Sequence, residues 1–366
     1  MTEKNLDNPF EKTLQHEIFK DARVDFDMYE KDPDIDLELD LFEKNPFKVK
    51  LVDFLSSSSG VFGASGSGKS VTCARIMEQI CKHRIPFTIF DKEGDFDSLL
   101  TFDIRIKVLC FKQDPASDDV EYFSKERSSK TEDGIRSSKS KPITIDGIKE
   151  LAQENFYNGR MTVLDLSNMA SRDSALNLVY AYVNQIKQLS DSLYTEGRKL
   201  HHILLLDEAH YFLPAMWADL YDRNIKILKP MVSLFSSIAS LARKRGIVLI
   251  LSSQRMSHVS YDTLANIKQF FFHRVSSPKD VKKYEDQLSN LFVEEWILQS
   301  VSTMTPGSCI YIIGDRVYLT KTKNRESHHL GSTPRPSDTY KTLKFLKSGT
   351  PDSNREVNSN DSTYSY

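Results

Sequence analysis

The chain has 366 residues, 39% of them apolar and 27% charged, enough to bury a sizeable core, so disorder as its dominant state is excluded. Lysine and arginine number 49 against 51 aspartates and glutamates, a formal charge of −2, which excludes a polybasic protein held on nucleic acid by bulk charge. Cys73, Cys81, Cys110 and Cys309 form no C-x-x-C pair and read as small core residues of a reducing compartment. No apolar run approaches the ~18 residues of a membrane span and no signal peptide is evident, so a cytoplasmic protein without membrane contact is expected.

Residues 1–48 are predicted to be an acidic arm, densest in carboxylates between Asp21 and Glu43. Within it Ile35, Leu37, Leu39 and Leu41 alternate with Asp34, Asp36, Glu38 and Asp40, the period of a strand with one wet face. From residue 49 to 334, short β-branched runs alternate with helical-period segments, the pattern of an α/β domain with a mostly parallel sheet flanked by helices. Predicted strands lie at residues 86–90, 161–166, 202–206, 247–251 and 269–272, and residues 310–313 and 317–319 read as a C-terminal hairpin around Gly314. Residues 113–142, rich in Ser, Lys, Asp and Glu, are expected to be a flexible insertion. Residues 335–366 read as a short helix and a disordered tail.

Gly63-Ala64-Ser65-Gly66-Ser67-Gly68-Lys69-Ser70 fits G-x-x-x-x-G-K-[ST], and from Val71 onward the apolar residues recur at helical spacing. Such a loop turns backbone N–H groups inward around phosphates, and the helix start adds its positive dipole end. The expected set of phosphate contacts is Gly63 to Val71, with Lys69 reaching the phosphate oxygens and Ser70 a ligand of Mg²⁺. The segment before the loop, Ser57 to Phe62, is less apolar than a central strand usually is.

His202 to Leu206 is a buried-type strand that delivers Asp207 and Glu208 at its C-terminal end, the Walker B arrangement. Asp207 is expected to hold Mg²⁺, and Glu208 to orient and deprotonate the attacking water. His201, His202 and His210 lack the spacing of a metal site. At the end of the strand from Ile247 to Leu251, Gln254 is a candidate γ-phosphate sensor. In the basic cluster before that strand, Arg243 is a candidate arginine finger, against the plainer reading of a solvated cation at a helix end, with Arg245 and Arg255 as further candidates.

Taken together, Gly63 to Ser70, Leu204 to His210 and Ala242 to Arg255 resemble the HerA/FtsK superfamily of ring-forming ATPases, most closely the HerA branch. Phe90 to Phe96 resembles that branch's D-x-x-G-E-[FY] segment, with Asp95 in the place of its Glu. Asp95 also reads as a cap for a helix beginning at Phe96. Val163 to Ser167, Val275 to Asp280 and Arg325 to His329 resemble further HerA segments. The resemblance implies a RecA-like P-loop NTPase core, ATP and Mg²⁺ at sites between subunits, a hexameric ring, double-stranded DNA in the channel, and a nuclease or other effector as partner. It carries over Lys69, Ser70, Asp207, Glu208, Gln254 and, acting in trans, Arg243. HerA proteins usually place a β-barrel ahead of the core, where this sequence has the acidic stretch. A packaging, conjugation or secretion ATPase and an ATP-dependent scaffold for an effector are the competing readings.

Overall fold

In the computed structural model, the described residues are 38–43, 49–127, 135–215, 225–288 and 295–327. They all fall within one unit, Met1–His328. The arm before residue 38, residues 128–134 of the insertion and the expected C-terminal helix and tail lie outside them.

The strands in chain order are β1 (Glu38–Leu39), β2 (Val49–Lys50), β3 (Ser59–Phe62), β4 (Phe87–Asp91), β5 (Ile106–Gln113), β6 (Val120–Arg127) and β7 (Ile135–Ser137). Then follow β8 (Lys141–Ile143), β9 (Met161–Asn168), β10 (His202–Leu206), β11 (Ile247–Ser253), β12 (Gln269–His273), β13 (Ser308–Ile313) and β14 (Arg316–Lys321). The helices are α1 (Leu51–Leu55), α2 (Lys69–Lys82), α3 (Ile145–Tyr157), α4 (Arg172–Thr195), α5 (Ala209–Phe212), α6 (Ile225–Arg245), α7 (Tyr261–Leu264), α8 (Pro278–Leu288) and α9 (Glu295–Ser300).

Twelve strands form one sheet in the order β14-β13-β12-β3-β11-β10-β4-β9-β5-β6-β7, with β8 also on β6. From β12 to β5 all pairs are parallel, which puts the C-terminal ends of β3, β11, β10, β4 and β9 on one edge. The fold is α/β as the alternation predicts, and β13 and β14 form the expected antiparallel hairpin. Strands buried on both faces divide their side chains between two cores. Leu204 and Leu206 of β10 pack with α4 and α6 residues such as Val179 and Phe235. Ile203 and Leu205 pack on the other face with α2 residues Ile76, Met77 and Ile80. Each such buried aliphatic side chain stabilises the fold by ~1.5–3 kcal/mol.

Where a flexible insertion is expected at 113–142, the structure has strands. β6 runs antiparallel to β5 over seven residue pairs, Lys107↔Glu126 to Gln113↔Val120, and β7 and β8 add to β6. The charges that read as a solvated loop are the outer residues of an edge: Lys107 and Lys112 pair across the strands with Glu126 and Glu121. Cross-strand ion pairing and edge charges of this kind are ordinary for a sheet margin. Of the expected strand at 35–41, Glu38–Leu39 is a two-residue strand paired with β2.

Candidate functional site

The loop 63–68 leaves the C-terminal end of β3 and enters α2. Gly66 and Gly68 have φ of +71° and +110°, conformations that side chains disfavour. A Cβ on Gly66 would meet nothing within 4 Å, so there the backbone conformation, and not crowding, requires glycine. At Gly63 crowding does: a Cβ would lie 2.5 Å from His273 Cβ and 2.6 Å from Ser67 Oγ. At Gly68 it would lie 2.8 Å from the backbone of Gly307. The loop is thus braced from behind by the end of β12 and the turn before β13, through Ala64 N donating to Arg274 O at 2.9 Å and Gly307 N to Ser67 O at 2.9 Å. No side chain caps α2, which leaves the first-turn amides of Lys69, Ser70 and Val71 without side-chain partners, as an anion site requires.

Behind the first turn, Thr72 Oγ1 lies 2.9 Å from His273 Nε2 and 2.9 Å from Thr322 Oγ1, all buried. Burial pushes the His273 imidazole down to about 4, so it acts there as a neutral hydrogen-bonding strut. No feature of the sequence alone marks His273 or Thr322, because their proximity to the loop depends on the pairing of β12 with β3.

Walker B is one strand removed from the loop, since β11 lies between β3 and β10. Asp207 and Glu208 leave the end of β10, and Glu208 sits at φ +45°, ψ 52°, a left-handed conformation costly for a residue with a Cβ. That backbone turns the Glu208 carboxylate back toward the loop. Lys69 Nζ lies 4.0 Å from Glu208 Oε1, both side chains being largely buried. Gln254, one residue beyond β11, donates from Nε2 to Glu208 Oε1 at 2.9 Å. His210 Nδ1 is 3.1 Å from Glu208 Oε2 and 3.1 Å from Ser253 Oγ. Although burial pushes the Glu208 carboxyl up, the contacts with His210, Gln254 and Lys69 prevail and hold it below its usual range.

Asp207 is the opposite case. Burial, with Asp91 and Glu208 close by, pushes it up to about 8 against the opposing charge of Lys69. A carboxylate so placed suits a cation, and the chemistry of the candidate donors, the Asp207 carboxylate and the Ser70 hydroxyl with its partner Asp95, is the hard oxygen that Mg²⁺ prefers. Among the described residues no group of three or more His, Cys, Asp or Glu converges as a metal site. A Mg²⁺ ion that draws the rest of its shell from phosphates and water needs no such group.

Asp95 proves to have a different place from the expected cap. Its Oδ2 accepts from Ser70 Oγ at 3.1 Å, and the following turn of 3₁₀ helix, Asp97–Thr101, has no side-chain cap. The turn's backbone is tied down by Asp91, whose carboxylate accepts from the amides of Gly94, Asp95 and Phe96 at 2.8, 3.2 and 2.8 Å. Burial still pushes Asp91 up to about 7, with Asp165, its registered neighbour on β9, adding to the effect.

The structure therefore brings Lys69, Ser70, Asp95, Asp207, Glu208 and Gln254 to one sheet edge. The side chain of Arg243 lies outside the described residues, although its backbone belongs to α6. Arg245 is engaged within the chain, with Nε 3.1 Å from Asp191 Oδ1 and its guanidinium 4.0 Å from the Tyr194 ring centroid. Arg255 is exposed beside Gln254. All four cysteines are free and buried, and burial pushes the Cys73 and Cys309 thiols up to about 12. Among the described residues no helix is long and apolar enough to cross a membrane.

A phosphate loop with its lysine, a strand-end acid pair and an interposed strand ending in a polar residue define a P-loop ATPase, and the chain is one. Residues 41–194 match the family described as Helicase HerA, central domain; the match covers less than half of the sequence and stops before Asp207. No curated protein matches the chain. Among solved structures, it is similar to the genome packaging NTPase B204 from Sulfolobus turreted icosahedral virus 2 in complex with ATP-gammaS, at 12% identity and a TM-score of 0.42, covering 73% of this chain and 98% of that one. It is also similar to the pCW3 conjugation coupling protein TcpA with ATPgS, at 15% identity and a TM-score of 0.47, covering 85% and 70%. A third is EssC (ATPases 2 and 3) from Geobacillus thermodenitrificans, at 13% identity and a TM-score of 0.42, covering 86% and 50%.

Proposed function

We propose that this ATPase is the motor subunit of a homo-oligomeric, hexameric ring that translocates on double-stranded DNA. The observation that carries the catalytic part is the approach of Lys69 Nζ to Glu208 Oε1 at 4.0 Å, across the strand whose end supplies Gln254. The loop amides from Gly63 to Val71 and Lys69 bind the ATP phosphates. Ser70 and Asp207 hold Mg²⁺, which when bound neutralises charge on the β- and γ-phosphates. Glu208, held deprotonated below its usual range, accepts the proton of the attacking water, and Gln254 reports whether the γ-phosphate is present by exchanging its Glu208 contact for a phosphate oxygen. Arg243 of one subunit reaches the site of the next. The DNA part rests on the match of residues 41–194 to the Helicase HerA central domain family.

The test has two arms. Glu208→Gln should retain ATP binding while turnover falls by ~10²–10⁴-fold, the usual contribution of a positioned base. Wild-type ATPase activity should rise on adding linear duplex DNA and lose that increment as salt increases. Hydrolysis indifferent to DNA at every salt concentration points instead to the scaffold reading.

A further inference from the structure

One turn beyond Glu208, Tyr211 of α5 carries two cations on its ring. Lys92, the residue after β4, places Nζ 5.2 Å from the ring centroid, and Arg172, the first residue of α4, places its guanidinium carbon 4.9 Å away. Among the described residues neither cation has a carboxylate oxygen within ion-pair distance. Arg172 spends one Nη2 hydrogen on the Tyr211 carbonyl, while its Nε is buried with no hydrogen-bond partner. Glu93, next in sequence to Lys92, is exposed, and Asp173 acts on the Tyr211 phenol from the α4 side. Two like charges gathered on one ring, neither of them paired with a carboxylate, form an arrangement that an anion from outside completes.

We propose that Lys92, Arg172 and Tyr211 form a phosphodiester-binding site through which the DNA backbone is gripped and its presence is passed to Glu208. The site deepens the motor reading and rests on it. Its place supports the assignment: Lys92, Arg172 and Tyr211 follow β4, β9 and β10, at the same sheet edge as the ATP loop and displaced from it along the strand order. A guanidinium fork matches two phosphate oxygens, a lysine adds a mobile point charge, and the phenol ring offers a face to the sugar or base. The connection to hydrolysis is short. Arg172 donates to the carbonyl of Tyr211, and the amide of Tyr211 donates to the carbonyl of Glu208 at 2.8 Å. An anion that draws the guanidinium outward therefore pulls on the turn that holds Glu208 in its left-handed conformation.

Lys92→Ala, Arg172→Lys and the double variant Lys92→Ala/Arg172→Ala are compared with the wild type in the full chain. A short blunt duplex is the probe, over a sodium chloride series, with thermal unfolding as a check of folding. Basal ATPase activity should stay within about twofold of wild type for Lys92→Ala; the Arg172 variants also lose or weaken the tie to the Tyr211 carbonyl, so their DNA-stimulated increment is read as a ratio to each variant's own basal rate, and that ratio falls severalfold in the double variant. The slope of log affinity against log salt should become shallower by about one for each phosphate contact removed. Arg172→Lys keeps the charge and loses the fork, so it should retain the slope and lose part of the stimulation. If the wild type is stimulated and the variants bind and respond as it does, the site assignment is wrong and the motor reading survives. If the wild type neither binds the duplex nor is stimulated, both fall. Binding of a polyglutamate peptide abolished by the same substitutions, with duplex binding unchanged, overturns the nucleic-acid assignment.

Discussion

At the scale of single residues, the buried polar positions constrain the molecule most. His202 on β10 is fully buried among aromatics, with Nε2 3.0 Å from Thr88 Oγ1, which in turn contacts Tyr182 OH at 3.1 Å; Asn155 Nδ2 donates to that same hydroxyl at 2.9 Å. Burial pushes the imidazole down to about 3. The sign follows from proton counting: between that value and the ordinary 6.5 the unfolded chain binds a proton there and the folded chain does not, so stability rises with pH across this window. The contribution is full above 6.5 and falls as the pH drops toward 3; at pH 5 the loss from His202 alone is ~2 kcal/mol. His202→Gln, which keeps a donor near Thr88, should flatten the fall in urea midpoint between pH 7 and pH 5. An unchanged slope would mean that the imidazole is protonated in the fold or that other groups carry the pH response.

At the scale of elements, the loop helix α2 is clasped from its far side. Glu78, with no exposed surface, accepts from Glu326 N at 2.9 Å, Ser327 N at 2.8 Å and Ser327 Oγ at 2.7 Å. Arg75, one turn earlier, donates to Asp40 O at 2.9 Å, Asp40 Oδ2 at 3.0 Å and Glu326 Oε1 at 2.6 Å. The segment after β14 and the described end of the acidic arm are thus both tied to the helix that begins at Lys69. Glu78→Ala leaves the amides of Glu326 and Ser327 and the Ser327 hydroxyl without their acceptor, and should destabilise the fold by ~3–5 kcal/mol, seen as a lower urea midpoint at unchanged slope. Glu326→Ala removes a carboxylate that is about half exposed and should cost far less. Equal losses from the two substitutions would show that the clasp is not organised around Glu78.

These contacts mark the limit of what the chain's linear order discloses. The loop glycines, Lys69, Asp207 and Glu208 are legible because their chemistry depends on short spacings and on strand-to-helix boundaries visible in the apolar pattern. β3 is poorly legible since Ser58, Ser59 and Gly60 are small or polar yet buried between β11 and β12, where a large side chain has no room: a Cβ on Gly60 would lie 2.3 Å from the Phe62 ring. β6 is hidden for the converse reason: it lies near the sheet margin, and its charges pair across the ladder and so read as solvent-loving. The bonds from Ser70 to Asp95 and from Glu78 to Ser327 join residues 25 and 249 positions apart, and no local pattern encodes them.

At the scale of the whole molecule, the decisive property is the proposed division of one catalytic site between two subunits. Lys69 and Glu208 meet within a single chain, whereas Arg243 lies near the end of α6, in a basic stretch where Arg245 is already held by Asp191 and Tyr194. If Arg243 serves a neighbour, two inactive variants must be able to rescue each other. An Arg243→Ala subunit keeps its own loop lysine, and a Lys69→Ala subunit keeps the arginine it lends. A complete site then forms wherever an Arg243→Ala subunit receives a Lys69→Ala neighbour, which in a random equimolar ring is about one interface in four. Each variant alone should be nearly inactive while still assembling, as judged by mass measurement with a nonhydrolysable ATP analogue. The mixture should recover up to about a quarter of wild-type turnover if the sites fire independently, and less if hydrolysis must pass around the ring in order. Normal turnover by Arg243→Ala alone removes the finger assignment outright. A mixture that assembles into common rings yet recovers nothing, under single-turnover conditions where one complete site suffices, would exclude an arginine acting between subunits.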